Sequence, residues 1–341
     1  MPDISWPDVL SRLIRGGSLE PAETSWAMEQ IMEGEAGPAQ FGAFVAALRA
    51  KGESVEEIQG LVSTMRRYSL KVPIEGKVVD TCGTGGDRSG TVNISTIAAF
   101  VAAGAGVKVA KHGNRAASSA CGSADLLEAL GVKIDLSPEQ VAECITQAGI
   151  GFCFAPVFHP SMRHAAGSRR ELGIPTVFNF LGPLTSPAGA RHQVVGVSDP
   201  AMAPKMAEVL GRLGAEHALV VHGMDGLDEI TTTAATHVWE VRDGGVSTWT
   251  LDPASFGIER ADLSALKGGT TDQNVAAARS VLSGQPSPIR DVVVVNAAAA
   301  LVAIDAEDGF ESAIAAAEAS IDSGRASAAL NKMIEVSVRG A

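Results

Sequence analysis

The sequence predicts an α/β protein: a large α/β domain with a mostly parallel central sheet and a small N-terminal all-helical domain. Residues 1–70 show apolar positions at helical spacing and no strand-like run. From residue 78 onward, short β-branched runs alternate with Ala/Leu-rich helical segments, as in parallel sheets covered on both faces. We therefore expect a helical domain over residues 1–72, with helices from about 158–180 packing on it, and a catalytic domain over 73–341.

The individual elements follow from the same patterns. In the helical domain, Val9, Leu10 and Leu13 lie on one helix face, and Ser18 and Ser54 are candidate helix starts. The expected strands cover residues 107–109, 193–197, 218–221 and 292–295, besides the run that ends near residue 79. The expected helices cover residues 97–104, 124–130, 138–148 and 201–213.

Composition and charge restrict the class of function. The net charge of −12 argues against a nucleic-acid partner, which would require a basic surface. The apolar stretch at 292–304 is interrupted by Asn296 and is shorter than the roughly 20 residues of a membrane span, so we expect a buried strand leading into a helix. Four cysteines without C-x-x-C spacing, and no secretory signal at the N-terminus, favour reduced thiols in a cytoplasmic protein.

The most informative segment is residues 80–96. A strand-like run is followed by three glycines at Gly83, Gly85 and Gly86, and then by Asn93, Ser95 and Thr96 at the start of an Ala-rich helix. Glycine-loop amides and a helix N-terminus together favour a phosphate. The spacing matches neither the dinucleotide loop nor the P-loop. The alternative is a tight strand-to-helix turn without a ligand.

A second polar segment, residues 111–123, follows the next expected strand and contains Lys111, His112 and Asn114 between glycines. Loops after consecutive parallel strands meet at the carboxyl edge of the sheet, so this loop is expected to share a ligand with the first. A solvated basic turn is the alternative.

Two further segments carry candidate side chains. Asp228 and Glu229 follow the run 218–221 and offer the hard oxygen ligands that suit Mg²⁺, or else form a solvated acidic turn. Arg169, in a segment with Pro156 and His159, could bind a carboxylate in a bidentate manner, or else form a surface salt bridge.

These segments, in this order and spacing, resemble the anthranilate phosphoribosyltransferase family, through GTGGD, NIST, KHGNR, FN-x-LGPL and DGLDE. The resemblance implies a homodimer formed through the helical domain. It also implies Mg²⁺-dependent transfer of the 5-phosphoribosyl group from 5-phosphoribosyl 1-pyrophosphate (PRPP) to the amino group of anthranilate, in tryptophan biosynthesis. No covalent catalytic nucleophile is implied.

The resemblance also assigns residues. The implied PRPP contacts are Gly83, Gly86, Asp87, Thr91, Asn93, Ile94, Ser95, Thr96, Lys111, His112, Gly113, Asn114, Arg115, Ala116, Ala117, Ser118, Ser119 and Ser123. The implied anthranilate contacts are Gly83, His112, Asn114, Pro156, His159 and Arg169, and the implied metal ligands are Ser95, Asp228 and Glu229.

Two other functions remain open at this point. A related nucleoside phosphorylase would bind a nucleoside and phosphate and would not need the acidic pair. A non-enzymatic protein on the same fold would not need intact glycine loops. The NIST segment and the acidic pair favour the transferase.

Overall fold

The computed structural model describes residues 4–116 and 120–339. Its first four helices form the N-terminal part of the chain: α1 (Trp6–Ile14), α2 (Pro21–Glu33), α3 (Pro38–Lys51) and α4 (Val55–Tyr68). Ser54 begins α4 as predicted, because its Oγ accepts the Glu57 N–H at 3.2 Å while the Glu57 carboxylate accepts the Ser54 N–H at 2.8 Å. Ser18 was the wrong start for α2, because Pro21 suits the first helical position and the Glu23 carboxylate accepts the Glu20 N–H.

The sheet is mostly parallel, as predicted. Its strands within the described residues are β1 (Val79–Gly83), β2 (Val109–Gly113), β3 (Ile150–Phe154), β4 (His192–Gly196), β5 (His217–Gly223), β6 (Thr236–Arg242) and β7 (Gly245–Leu251). Their spatial order is β3-β2-β1-β4-β5-β6-β7. The first five strands in that order run parallel, and β6 and β7 extend the sheet antiparallel.

Helices cover both faces of the sheet. The described helices that follow β1 in the chain are α5 (Ile94–Gly104), α6 (Ser123–Leu130), α7 (Pro138–Ala148), α8 (Ala155–Phe158), α9 (Arg163–Leu172), α10 (Phe178–Leu181), α11 (Ala203–Arg212), α12 (Thr271–Leu282), α13 (Pro288–Ala303), α14 (Phe310–Asp322) and α15 (Arg325–Val338). Alternate strand residues enter two cores: Val194 and Leu219 pack with α5 and α13, whereas Val195 and Val220 pack with α11 and the N-terminal helices. The two-sided burial explains the nearly continuous apolar strands.

The segment after β3 leaves the sheet and contacts the N-terminal helices. Helix α9 packs on α2 and α3, and Ala165 lies in the same core as Phe41 and Phe44. The Phe178 ring lies 5.4 Å from the Phe41 ring, centroid to centroid. This segment therefore connects the sheet edge to the helical part of the chain.

The expected strand at 292–295 was wrong, because these residues belong to α13. Ser287 caps the helix through the Arg290 N–H at 3.1 Å, and Pro288 occupies its first turn. Helix α13 packs on α5, on α14 and on the sheet, so its valines are buried all round and show no helical periodicity. Tertiary burial overrides the β preference of the four valines.

None of the described helices has the length and apolar character required to cross a bilayer. Cys82, Cys144 and Cys153 are free thiols.

Candidate active site

Four parallel strands end in glycine at one edge of the sheet: β1 at Gly83, β2 at Gly113, β4 at Gly196 and β5 at Gly223. The loops that follow β1, β2 and β5 contain the candidates for phosphate and metal binding, whereas Pro156, His159 and Arg169 follow β3. The prediction that the two glycine-containing loops meet at a common carboxyl edge is thus confirmed for the part of the chain described.

The β1 loop and the acidic β5 loop are in direct contact. Gly85 and Gly86 have φ values of +67° and +85°, which glycine adopts without strain. The Gly85 N–H donates to Asp228 Oδ2 at 2.7 Å. A Cβ at Gly83 would lie 2.4 Å from that same oxygen, and a Cβ at Gly196 would lie 1.7 Å from the Asp228 carbonyl oxygen. The glycines therefore admit the acidic loop to the ends of β1 and β4.

We expect Gly196→Ala to lower the free energy of unfolding by about 2 kcal/mol or more, because the new methyl group would overlap a backbone atom that cannot rotate away. Equilibrium denaturation in urea measures the change. Gly167→Ala is the matched control: its Cβ would meet no atom within 4 Å, and it lies inside α9. The control should gain about 0.5–1 kcal/mol from helix propensity. Equal stability of the two variants would contradict the close approach.

Asp228 and Glu229 contribute two neighbouring carboxyl groups to this edge of the sheet. The Ser95 N–H, in the first turn of α5, donates to Glu229 Oε1 at 3.1 Å. Burial, with a contribution from Asp87, raises the pKa of Asp228 to about 7. Burial, with the nearby Asp228, raises the pKa of Glu229 to about 8. Two adjacent carboxylates that resist ionisation need a cation to hold both charges.

Lys111 lies between the first two loops but does not pair with these carboxylates. Its Nζ donates to the Thr81 carbonyl oxygen at 2.5 Å and to Ser95 Oγ at 3.2 Å. Lys111 is buried in the middle of β2. Its ammonium therefore supplies positive charge beside Ser95, where a phosphate could bind.

The β2 loop is held to α6. The Asp125 carboxylate accepts the Ala116 and Gly122 N–H groups at 3.0 and 2.9 Å, and the Arg115 guanidinium pairs with Asp125 and Glu128. Arg115 thus faces α6 in this structure. Ala117, Ser118 and Ser119 lie outside the described residues.

His112, in β2, and His159, just after α8, lie next to each other. The rings of His112 and His159 lie 5.1 Å apart, and His112 Nδ1 lies 3.2 Å from the Gly182 carbonyl oxygen. Burial and the neighbouring His159 lower the pKa of His112 to about 3, and burial lowers that of His159 to about 4, so both are neutral at pH 7. Pro156 lies three residues before His159, in α8.

Arg169 has no carboxylate partner among the described residues. Its guanidinium lies over the Phe178 ring, 5.6 Å from the centroid, and burial lowers its pKa. The surface salt bridge that sequence reasoning left open does not form among the residues described. A half-buried guanidinium without an anion is suited to a ligand carboxylate.

Several supporting residues escaped the sequence analysis. Asn296 in α13 accepts the Ile230 N–H at 3.0 Å and donates to the Ile230 carbonyl oxygen at 2.8 Å, which fixes the chain just after Glu229. Asn274 Oδ1 accepts the Asn93 N–H at 3.2 Å. Buried Asp80 accepts the His112 N–H at 2.9 Å. A lone polar residue within an apolar run was the available signal for Asn296 and Asp80.

The remaining predicted residues fall on the same three loops. Asp87 accepts the Ser89 N–H and hydroxyl, Thr91 pairs with Lys267 in an isolated bridge, and Ser123 Oγ donates to the Asn114 carbonyl oxygen at 3.1 Å. Asn93, Ile94 and Thr96 lie at the start of α5, but the Asn93 side chain does not cap the helix; it donates to the Cys121 carbonyl oxygen instead.

Comparison with known proteins identifies the family. The profile described as "Glycosyl transferase family, helical bundle domain" matches residues 7–69, and that of "Glycosyl transferase family, a/b domain" matches residues 75–327. An anthranilate phosphoribosyltransferase of Acidothermus cellulolyticus is 58% identical over 339 residues, covering 98% of this chain and 95% of that protein. This chain belongs to the anthranilate phosphoribosyltransferase family.

Solved structures of anthranilate phosphoribosyltransferases share the complete fold. That from Thermus thermophilus is 44% identical with a TM-score of 0.92, covering 97% of this chain and 99% of that one. That from Saccharomyces cerevisiae, in complex with PRPP and Mg, is 30% identical with a TM-score of 0.90, covering 97% of each chain. The predicted fold, with a helical N-terminal domain and a mostly parallel sheet, is confirmed.

The acidic pair of this anthranilate phosphoribosyltransferase family member fits a magnesium ion. The described residues contain no group of three or more His, Cys, Asp or Glu side chains able to hold a metal. Mg²⁺ commonly uses one or two carboxylates and takes its other ligands from water and substrate phosphates. Asp228 and Glu229, which form no salt bridge with any described residue although the Lys111 charge acts on Glu229, provide that incomplete set next to the Ser95 hydroxyl.

Proposed function

We propose that this protein transfers the 5-phosphoribosyl group of PRPP to the amino group of anthranilate, giving N-(5-phosphoribosyl)anthranilate and pyrophosphate, the second step of tryptophan biosynthesis from chorismate. One observation supports this most directly: the Gly85 and Ser95 N–H groups hold the Asp228 and Glu229 carboxylates against the glycine loop. A phosphate-binding loop and an acidic pair in direct contact suit a sugar diphosphate with a divalent cation.

In this proposal PRPP binds between the β1 and β2 loops. The residues assigned to it are Gly83, Gly86, Asp87, Thr91, Asn93, Ile94, Ser95, Thr96, Lys111, His112, Gly113, Asn114, Arg115, Ala116, Ala117, Ser118, Ser119 and Ser123. Loop amides and the Lys111 ammonium would balance the charge of the departing pyrophosphate. Contact of Arg115 with PRPP would require it to leave its ion pairs with Asp125 and Glu128.

Anthranilate would bind with its carboxylate at Arg169 and its ring beside Gly83, Asn114, Pro156 and the two neutral imidazoles of His112 and His159. The arylamine is uncharged at pH 7, so no covalent nucleophile is needed. The N–C1 bond forms as the bond between C1 and the pyrophosphate oxygen breaks, pyrophosphate leaves with the electron pair, and the amine proton passes to solvent. The protein's own contribution is positioning and electrostatics.

We assign Mg²⁺ to Ser95, Asp228 and Glu229. When bound, the ion supplies positive charge to the pyrophosphate oxygens. The Asp228 and Glu229 carboxylates would hold the ion. Ser95 Oγ accepts a hydrogen bond from Lys111 Nζ at 3.2 Å, so the lysine charge would lie close to the same ligand set.

We expect the metal-free protein to lose stability as pH rises from about 4 to about 8. The unfolded carboxyl groups ionise near pH 4, whereas Asp228 and Glu229 keep their protons in the fold until about 7 and about 8, so the folded state binds more protons in this interval. Because Mg²⁺ binds the ionised form, its stabilising effect should be larger at about pH 8 than at about pH 6. Calorimetric melting with and without Mg²⁺ measures both; an Mg²⁺ effect that does not change with pH would contradict the assignment.

The proposal includes the organisation of the protein. We place the helical domain at residues 1–72, with helices from about 158–180 packed on it, and the catalytic domain at 73–341; the shared core of α9 with α2 and α3 supports this.

We also propose a cytoplasmic homodimer formed through the helical domain. Ile14 of α1, exposed to 75%, supports that surface, and the free thiols of Cys82, Cys144 and Cys153 support the compartment. Sedimentation equilibrium tests the dimer.

The deciding experiment incubates the purified protein with anthranilate, PRPP and Mg²⁺ and follows the loss of anthranilate fluorescence. Parallel incubation with pyrimidine nucleosides and phosphate tests the phosphorylase alternative. Loss of fluorescence that requires all three components supports the proposal. Phosphorolysis alone, or neither reaction, would reject it.

A further inference from the structure

A cavity of about 290 Å³ lies at the opposite edge of the sheet from the candidate active site. Its walls come from the residues that lead into β4 and β5 and from the last turn of α4. The acidic loop follows the other end of β5, and the β1 and β2 loops lie at that same carboxyl edge. A ligand here would therefore be separate from substrates at the carboxyl edge, and the inference does not rest on the proposed transfer reaction.

The wall of this cavity includes an arginine without an anion. Arg66 Nε donates to the Leu184 carbonyl oxygen at 2.8 Å, and Nη1 donates to the Leu213 carbonyl oxygen at 3.4 Å. No carboxylate among the described residues pairs with this half-buried guanidinium, and burial lowers its pKa. The Lys71 ammonium, bonded to the Arg66 carbonyl oxygen, adds positive charge nearby. A cation held in this way lacks the counter-ion that burial normally requires.

Gln193, in the same wall, has a buried polar atom without a hydrogen-bond partner among the described residues. Its side chain is fully buried, its Nε2 donates to the Pro183 carbonyl oxygen at 2.9 Å, and its Oε1 has no partner. Pro183 and Leu184 are consecutive, so the Gln193 amide and the Arg66 guanidinium are anchored to neighbouring carbonyl groups of one short turn. That shared anchor fixes the direction of Arg66.

The other lining residues provide no further unpaired charge among the described residues. Arg191 also lines it, but its guanidinium already pairs with Glu216 at 2.6 Å and donates to the Gly214 carbonyl oxygen. Leu213, Ala190 and Ala215 provide apolar wall. The cavity therefore offers one unmatched positive group beside an apolar surface, with a volume near the lower end for small-molecule pockets.

We propose that this cavity binds a small organic carboxylate that carries an apolar group, with its carboxylate on Arg66. A carboxylate supplies the missing anion, and the planar guanidinium can hold it through two parallel hydrogen bonds. The hydrocarbon part would cover Leu213 and the two alanines. An inorganic anion would match Arg66 but would leave the apolar wall in water.

Isothermal titration calorimetry of the full chain with phenylacetate tests the proposal. Benzyl alcohol, which keeps the ring and lacks the charge, and inorganic phosphate, which has the charge and lacks the ring, are the comparison ligands. We expect phenylacetate to bind more tightly than either. Arg66→Gln should weaken its binding about tenfold or more, the usual effect of losing a charged hydrogen bond. Arg67→Gln is the matched control, because the neighbouring Arg67 is exposed and pairs with Glu29.

Phenylacetate could also enter the candidate active site, so the Arg169→Lys variant is titrated in parallel. Binding that is lost in Arg169→Lys and kept in Arg66→Gln would place the ligand at the active site and overturn the proposal. Phosphate can also bind at the β1 loop, so the comparison counts only the binding that Arg66→Gln removes: phosphate binding of that kind tighter than that of phenylacetate, or no heat from phenylacetate, would overturn the proposal as well. If Arg66→Gln does not fold, Ala215→Leu fills the cavity while keeping the arginine, and unchanged phenylacetate binding in that variant would reject the site.

Discussion

Replacing Asp228 with Asn and Glu229 with Gln together is expected to lower Mg²⁺-dependent kcat by about a hundredfold or more. The amides keep the size of the side chains and remove both charges that would hold the cation next to the pyrophosphate oxygens. The Gly85 and Ser95 N–H groups can still donate to the amide oxygens, so the loop contact should survive. Unlike the wild type, the double variant should show no pH-dependent stabilisation by Mg²⁺.

The measurement is kcat as a function of Mg²⁺ concentration at saturating substrates. Asp225→Asn is the matched control, because Asp225 belongs to the same loop but accepts the Leu227 N–H and the Thr231 hydroxyl. The control should lose some stability and keep the metal dependence of the wild type. If the double variant also kept that dependence, the acidic pair would not be the metal site.

The second large effect is expected at Arg169. Arg169→Lys should raise KM for anthranilate by about ten- to a hundredfold and leave KM for PRPP within about twofold. The lysine ammonium keeps the charge but cannot form the two parallel hydrogen bonds that a guanidinium gives a carboxylate, which are worth about 1.5–3 kcal/mol. Stacking on Phe178 and the absence of a protein carboxylate partner among the described residues leave the guanidinium ready for the substrate.

Initial-rate kinetics with each substrate varied in turn would separate the two KM values. Arg170→Lys serves as the control, since Arg170 is the next residue of α9 and is exposed to solvent. It should behave as the wild type. An equal rise in both KM values for Arg169→Lys would mean that the substitution disturbs the whole site rather than the anthranilate carboxylate.

The convergence of the candidate loops could be predicted because one rule of parallel sheets brings distant segments together. Strand β1 is adjacent to β2 and β4, and β4 is adjacent to β5, so loops from residues 83 to 229 converge without any local sequence signal for their contact. The glycines indicated where the loops pack closely. The residue types then limited the chemistry to phosphate, a hard cation and a carboxylate.

What could not be predicted depends on long-range packing. Helix α13 shows no amphipathic pattern because it is buried all round, so its valines indicated a strand. Asn296 and Asn274 act on residues 66 and 181 positions away, which no spacing rule connects. The orientation of Arg115 toward Asp125 and Glu128 likewise depends on the packing of α6 beside its loop.

The two hydrogen bonds between Asn296 and Ile230 fasten the acidic loop to a helix buried in the interior. The acidic loop is therefore held in position by the protein itself, without a ligand. Arg169 instead lies on α9, which packs on the N-terminal helices α2 and α3. The residues proposed for Mg²⁺ and for the anthranilate carboxylate are thus held by different packing contacts, and a change in how α9 packs on α2 and α3 would shift Arg169 without shifting the acidic loop.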